Sequence, residues 1–413
     1  MARVPGERRR LILSLSYFAL LLASYYLIRP VRDALAAGGG AASIKYLASA
    51  VLAVMCLIVP LFGWLVANVR RSRLLPGIYA FFALNLLLFA AAFQLAPDDP
   101  WVGRAFYVWT TVFNLFVVSV FWSFMADLWR EEQGRRLFGI IAAGGSCGGL
   151  VGPLLARGLV GSVGNSGLAL LAALLLAGAL VAIGLLLADA DGEQRSAAAR
   201  LSFGEPVGGE ILAGLTRLAR SPYLLGIAAL VALGSLLAMF VYIELARAAA
   251  AGYATGAART AFYAQRDVWV NGAAFVLQLA AVGPLAQRLG VRPVLGGAAS
   301  VALCAFAALT LLPLAGTLVA VNVVLRAVEF GIGKPARDML YTVVDTETQY
   351  KVKNLIDTLI PRASDAASGW LHAGLTALGL SLAGIAASGA LAAALLVVIA
   401  VSVGSGYRAR GGA

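Results

Sequence analysis

The chain has 413 residues, of which 61% are hydrophobic and 13% charged, with mean hydropathy +0.88 and a formal net charge of +12. A soluble domain of this length cannot hide that much apolar surface, so lipid or other apolar helices must solvate most side chains. The apolar runs are too long and too unbroken for barrel strands of ~10 alternating residues, and the basic excess reads as loop topology, not as a nucleic-acid footprint.

At roughly 20 apolar residues per span, the sequence predicts membrane helices near 10–28, 44–67, 74–96, 101–127, 138–160, 166–188, 222–245, 260–283, 292–312, 315–336, 354–377 and 381–403. The opening stretch "RRRLILSLSYFALLLASYYLIRPVRD" has a basic flank like a leader, but its longer apolar core followed by charge makes it the first span. Span four carries a polar and aromatic stripe at helical spacing, Arg104, Tyr107, Thr111 and Asn114, with Trp109 beside it. In span five "GGSCGGLVG" places Gly144, Gly148 and Gly152 four apart, which lets helix backbones approach closely. A polar segment at 189–221 follows span six, and its second part, "ILAGLTRLAR", reads as a short interfacial helix. Span eight carries Arg266, Asp267, Asn271 and Gln278; span ten carries Arg326 and Glu329; span eleven carries Asp357, Arg362 and Asp365.

The loops set the orientation. With the N-terminus inside, the cytoplasmic segments hold 21 Lys and Arg and the outer segments 8, so both termini are expected in the cytoplasm. Six spans, a linker and six more spans is the layout of major-facilitator transporters, with halves at 1–188 and 222–413 around a linker at 189–221. The expected fold is therefore an all-α polytopic membrane protein of twelve helices in two six-helix halves. Cys56, Cys147 and Cys304 lie unpaired in apolar runs and read as buried small hydrophobes. The single histidine, His372, reads as a helix residue meeting a polar neighbour. There is no nucleophile–base pair and no metal-ligand spacing, so neither an enzyme nor a cofactor is expected.

Charge carries the functional signal. "RPVRDAL" at 29–35 and "KPARDML" at 334–340 repeat one pattern about three hundred residues apart, each at the end of an apolar run. In the two-half layout, spans one, four, seven and ten line the cavity. Here they end in Arg29, Arg32 and Asp33; in Asp127, Arg130, Glu131 and Glu132; in Glu244 and Arg247; and in Lys334, Arg337 and Asp338. Such clusters at alternating faces suit ion-pair gates, the alternative being charges that snorkel to headgroups. Ionisable groups in mid-span are costly and mark a partner or a wet path, with structural ion pairs between helices as the alternative. Several arginines converging on a cavity favour an anionic cargo, since guanidinium matches phosphate or carboxylate bidentately.

Four stretches add a resemblance: "YYLIRPVRDAL", "VVSVFWSFMADLWREEQGRRLFGIIAAGGS", "VYIELARAA" and "KPARDMLYTVVDTETQYKVKNLIDTL". In order and spacing, from residue ~17 to ~370, they resemble the ATP/ADP translocases of plastids and intracellular bacteria, and more closely the shorter homologues of free-living bacteria. The resemblance implies a twelve-helix facilitator-like fold and places Arg32, Glu132, Glu244 and Arg337 at sites tied to nucleotide exchange. The chain departs from the pattern by having Arg where the translocases have Lys at 32 and 337, and Lys334 where they carry an acid. Arg and Lys are not equivalent at a geometric anion site.

The resulting expectation is a secondary transporter of the bacterial inner membrane, working as a monomer on a small-molecule organic anion, a nucleotide or other phosphorylated metabolite. Arg32, Arg104, Arg326 and Arg337 hold the anion, and Tyr107, Asn114, Glu244, Asp267, Asn271 and Glu329 complete the binding surface. Arg29, Asp33, Asp127, Glu132, Arg247, Lys334 and Asp338 form gates, and Glu329 or Asp357 serves as coupling acid. A proton-coupled carrier of another solute and a non-transporting membrane scaffold are the rival readings.

Overall fold

A computed structural model describes residues 6–69, 71–97, 99–129, 131–194, 211–279 and 289–411. These residues are helical with short connections and form no strand among them. The helices are α1 (Glu7–Gly38), α2 (Ile44–Asn68), α3 (Arg71–Leu95), α4 (Pro100–Leu128), α5 (Glu131–Gln194), α6 (Ile211–Arg220), α7 (Pro222–Gly252) and α8 (Gly256–Leu277). After them come α9 (Val291–Leu311), α10 (Ala315–Val328), a π-helical turn (Glu329–Gly333), α11 (Lys334–Met339), α12 (Thr346–Ala377) and α13 (Leu382–Ala409).

Among the described residues nine helices are long and apolar enough to cross a membrane. One of these is α5, in which the two spans expected at 138–160 and 166–188 form two helical arms joined at a kink. The arms meet at Gly164, whose φ of 65° and ψ of −172° interrupt the helix in a region other residues rarely adopt. Helices α8 and α12 fall outside the nine because they carry the charged residues read above, yet both form where spans eight and eleven were expected. Residues 195–210 of the expected linker, and 280–288 at the end of span eight, lie outside the described residues.

The chain divides into two compact units. The first comprises residues 1–39, 60–206 and 253–268. Its centre is α1 against both arms of α5. A Cβ on Gly144 would stand 2.6 Å from the Leu15 carbonyl oxygen, and one on Gly152 2.7 Å from that of Ala23. Gly148 abuts Ala19 more tightly still. The glycine spacing thus serves close packing, as read from the sequence. Ser24 on α1 donates to the Ala172 carbonyl on the other arm, 2.8 Å away. Tyr17 donates to the Tyr79 hydroxyl, which donates to the Val117 carbonyl, so α1, α3 and α4 share one hydrogen-bond chain. Phe18 stacks on Phe121 with centroids 4.0 Å apart. The N-terminal end of α1 is tied to the two ends of α5 by the Glu7–Arg136 and Arg9–Asp189 ion pairs.

The second unit comprises residues 40–59, 207–252 and 269–413. Here α13 lies against α9, with Gly389 opposite the Phe306 ring and Gly404 opposite the Arg292 backbone. Ser364 on α12 donates to the Ala232 carbonyl on α7 at 2.6 Å. Tyr223 at the start of α7 donates to the Leu340 carbonyl at 2.8 Å. Cys56, Cys147 and Cys304 are exposed, contrary to the expected burial. An apolar surface suits a small thiol as well as a core does when the surrounding solvent is lipid.

Candidate functional site

Helix α1 does not end at the apolar run's last residue. It continues through Pro30 to Gly38, so Arg29, Arg32 and Asp33 lie within the helix and not beyond it. Their spacing brings them against α8, and a buried ionic cluster results in the first unit. Arg266 donates through Nη2 to Asp33 Oδ2 at 2.7 Å and to Asp267 Oδ1 at 2.6 Å. Arg32 grips Asp33 Oδ1 through Nε and Nη2 at 2.9 and 2.7 Å. Arg29 Nε stands 3.7 Å from Asp267 Oδ2, an ion pair too long for a hydrogen bond, and neither atom has another partner. Asp33 is 1% exposed, Asp267 0%, Arg266 3% and Arg29 7%. Tyrosine faces line the cluster: Arg32 lies over Tyr107 at 5.3 Å, Arg266 over Tyr263 at 4.8 Å and Arg29 over Tyr26 at 5.5 Å. Three arginines therefore meet two aspartates in a desolvated pocket, where each charge needs its partners. Sequence reading named Arg266 only as a deep charge, yet it is the residue that joins both aspartates.

The second unit holds an open counterpart. A cavity of about 280 Å³ is walled by α7, α9 and α13 and by the helices around the π turn. Its charged and amide side chains are Asn322, Arg326, Glu329, Lys334, Arg337 and Asp357, with the Ser235 hydroxyl beside them. The π turn sets this arrangement, because the amide of Lys334 donates to the Glu329 carbonyl five residues back. Gly333 leaves room for the Glu329 carboxylate, whose Oε2 would stand 2.7 Å from a Cβ there. Glu329 Oε1 then accepts from Arg337 Nη1 at 2.9 Å. Asp338 pairs with Lys353 at 2.9 Å. The cavity is just smaller than the ~300–1,000 Å³ typical of small-ligand pockets.

Elsewhere in the same unit Glu244 accepts from Arg247 at 3.1 Å and lies 2.7 Å from His372 Nε2. Both Glu244 and His372 are buried. His372 thus meets a polar neighbour, as its place in the sequence implied.

The remaining expected residues are dispersed. Arg104 is exposed near the start of α4, its guanidinium 4.6 Å over the Trp101 ring. Trp109 is packed into an aromatic core, stacked on Phe113 at 5.2 Å. Asn114 and Asn271 are half-buried on α4 and α8, and Asp127 is exposed at the end of α4. The side chain of Glu132 lies outside the described residues. Asn322 was missed in the sequence; it sits one helical turn before Arg326, on the same face, which is the signal that could have found it.

Comparison with known proteins agrees with this architecture. No curated protein sequence matches the chain. Among solved structures, it resembles the POT family transporter PepTSo, at 11% identity and a TM-score of 0.65 over 99% of this chain and 98% of that one. It also resembles the nucleoside transporter NupG, at 10% identity and 0.61 over 97% and 99%. A third is a bacterial homologue of the human lysosomal transporter Spinster, at 12% identity and 0.59 over 99% and 98%. At such identities the likeness shows the fold. The family model for the Major Facilitator Superfamily matches residues 11–335, most of the chain. With that match, and with charges buried in apolar helices, the chain belongs to the Major Facilitator Superfamily: it is a multi-pass membrane transport protein for a small-molecule substrate.

Proposed function

We propose that the protein is a secondary transporter that moves an organic anion, a nucleotide or another phosphorylated metabolite, by alternating access and in exchange for a second anion. One observation carries the reading: three cations, Arg326, Lys334 and Arg337, line a single cavity with only two acids, Glu329 and Asp357. An anionic oxygen entering this cavity competes with Glu329 for Arg337, held at 2.9 Å. The empty and loaded carriers then differ in their ion pairs, which gives the cargo differential affinity for two states. A guanidinium paired bidentately favours phosphate or carboxylate over a neutral solute. The nucleotide itself rests on the resemblance of the four motif stretches to ATP/ADP translocases. The 21-to-8 basic asymmetry supports both termini cytoplasmic, and the resemblance to homologues of free-living bacteria supports a bacterial inner membrane. The twelve expected spans favour six-helix halves at 1–188 and 222–413, and a single chain is the proposed working unit.

Thermal unfolding of the purified protein against nucleotides, sugar phosphates, inorganic phosphate and organic acids tests the reading. A ligand at 100 times its Kd stabilises the folded state by about 2.7 kcal/mol. The expected result is a raised midpoint with nucleotides that Arg337→Ala and Arg326→Ala remove. No shift with any anion, or a shift that both variants keep, overturns it.

A further inference from the structure

We propose that Asn322 is a specificity residue of the cavity in the second unit: its carboxamide binds a hydroxyl group of the cargo. The carrier then selects hydroxylated phosphate esters over anions that carry charge alone. The inference rests on the anion reading for the charged end of the cargo, and on a separate residue for the hydroxyl.

Asn322 lies in the middle of α10 and is 3% exposed. It lines the cavity, and its Oδ1 is enclosed without a hydrogen-bond donor among the described residues. A buried acceptor left unsatisfied costs free energy that an apolar side chain of the same shape does not. Most of the cavity wall is apolar, with Leu230 and Val231 on α7, Leu295 and Ala299 on α9 and Leu396 on α13. A carboxamide that finds no donor within its own protein, in such a wall, is explained by a partner that arrives from outside. There is room for that partner. Gly234 on α7 lines the same cavity, and a Cβ there would meet nothing within 4 Å. Its neighbour Ser235 adds a hydroxyl to the lining.

The chemistry of the partner follows from these groups. The Asn322 oxygen takes only a donor, and Arg326, one turn or about 6 Å along α10, disfavours a cationic one. A neutral hydroxyl satisfies both conditions: it donates to Asn322, and its own oxygen accepts from a second donor such as the Ser235 hydroxyl. A phosphate ester with a hydroxyl a few atoms from its charge serves Arg326 and Asn322 together. An alkyl phosphate of equal charge leaves the Asn322 oxygen as unsatisfied as it is in the empty cavity. Sites built to bond a substrate hydroxyl reject the analogue that lacks it. Asn322 stands apart from the Arg337–Glu329 ion pair, so recognition of charge and of hydroxyl are separable.

Thermal unfolding of the full chain in lipid nanodiscs, titrated with two matched pairs of ligands, tests the inference. The pairs are glycerol 3-phosphate with propyl phosphate, and AMP with its 2′,3′-dideoxy analogue. Wild type is expected to bind the hydroxylated member of a pair about tenfold or more tightly than its partner. Asn322→Leu should bind both members alike, whereas Arg337→Ala should weaken both and keep the preference. Equal binding within both pairs by wild type, or a preference that survives in Asn322→Leu, overturns the inference and leaves the anion reading standing. No shift with any of the four overturns the anion reading, and the ligand-free protein then decides on Asn322. Leucine keeps the branching of asparagine without the unsatisfied oxygen, so empty Asn322→Leu is expected to unfold at or above the wild-type midpoint. Asn322→Val, which is smaller than the leucine variant, repeats both measurements. A ligand-free midpoint lowered in both variants shows a carboxamide bonded within the protein, and overturns the inference.

Discussion

The motif that occurs twice meets two opposite environments. In the first copy Arg29 and Asp33 are buried, and the aspartate is gripped by Arg32 and Arg266. In the second, Lys334 is exposed, Glu329 keeps 42% of its side chain accessible and Asp338 39%, and Arg337 faces a cavity. The same five-residue pattern therefore makes a closed ionic knot in one unit and an open, occupiable site in the other. Partner supply explains the difference. Helix α8 brings Arg266 and Asp267 against the first copy, whereas the second copy has a π turn beside it and a single acid, Glu329, on its arginine.

That contrast can be broken by experiment. The largest effect is expected for Arg266→Ala, which strands Asp33 and Asp267 without their shared partner. Removing one member of a buried pair costs about 3–5 kcal/mol, so the unfolding midpoint and the folded yield should both collapse. Arg337→Ala should leave stability within about 1 kcal/mol, because Glu329 can reach water. Cargo affinity should instead fall roughly 10–100-fold, read from the ligand-induced thermal shift. If Arg337→Ala unfolds the protein and Arg266→Ala does not, the assignment of knot and site is reversed. Arg29→Lys should cost about 1 kcal/mol, since a lysine cannot keep the planar stack over Tyr26 and the reach to Asp267 together. Smallest is Arg104→Ala, at an exposed position, with a change in midpoint corresponding to within about 0.5 kcal/mol. A large loss of cargo binding in Arg104→Ala would extend the site to α4.

The helices were legible because twenty apolar residues have few uses other than a membrane span. The glycines at 144, 148 and 152 announced a close helix contact for the same reason: a four-residue spacing of small residues places them on one face. The continuation of α1 through Pro30 was not legible, because a proline after an apolar run reads as an end unless tertiary contacts hold the following turn. Nor was the partnership of Arg266 with Asp33, 233 residues apart; charge sign and depth say that a partner is needed, not which one. Arg326, Glu329, Lys334, Arg337 and Asp357 could be grouped from sequence as deep or gate charges. Their meeting in one cavity depends on the π turn, which no local residue preference marks.

The π turn carries a constraint of its own. It is a helix with one residue more than an α-helical path requires. Removing one residue from Phe330–Gly333 would let the segment relax to α-helical register and rotate all that follows by about 100°. The Arg337 guanidinium would then leave Glu329 with no change in either residue. In this stretch the number of residues, as much as their identity, decides where the Arg337 guanidinium points.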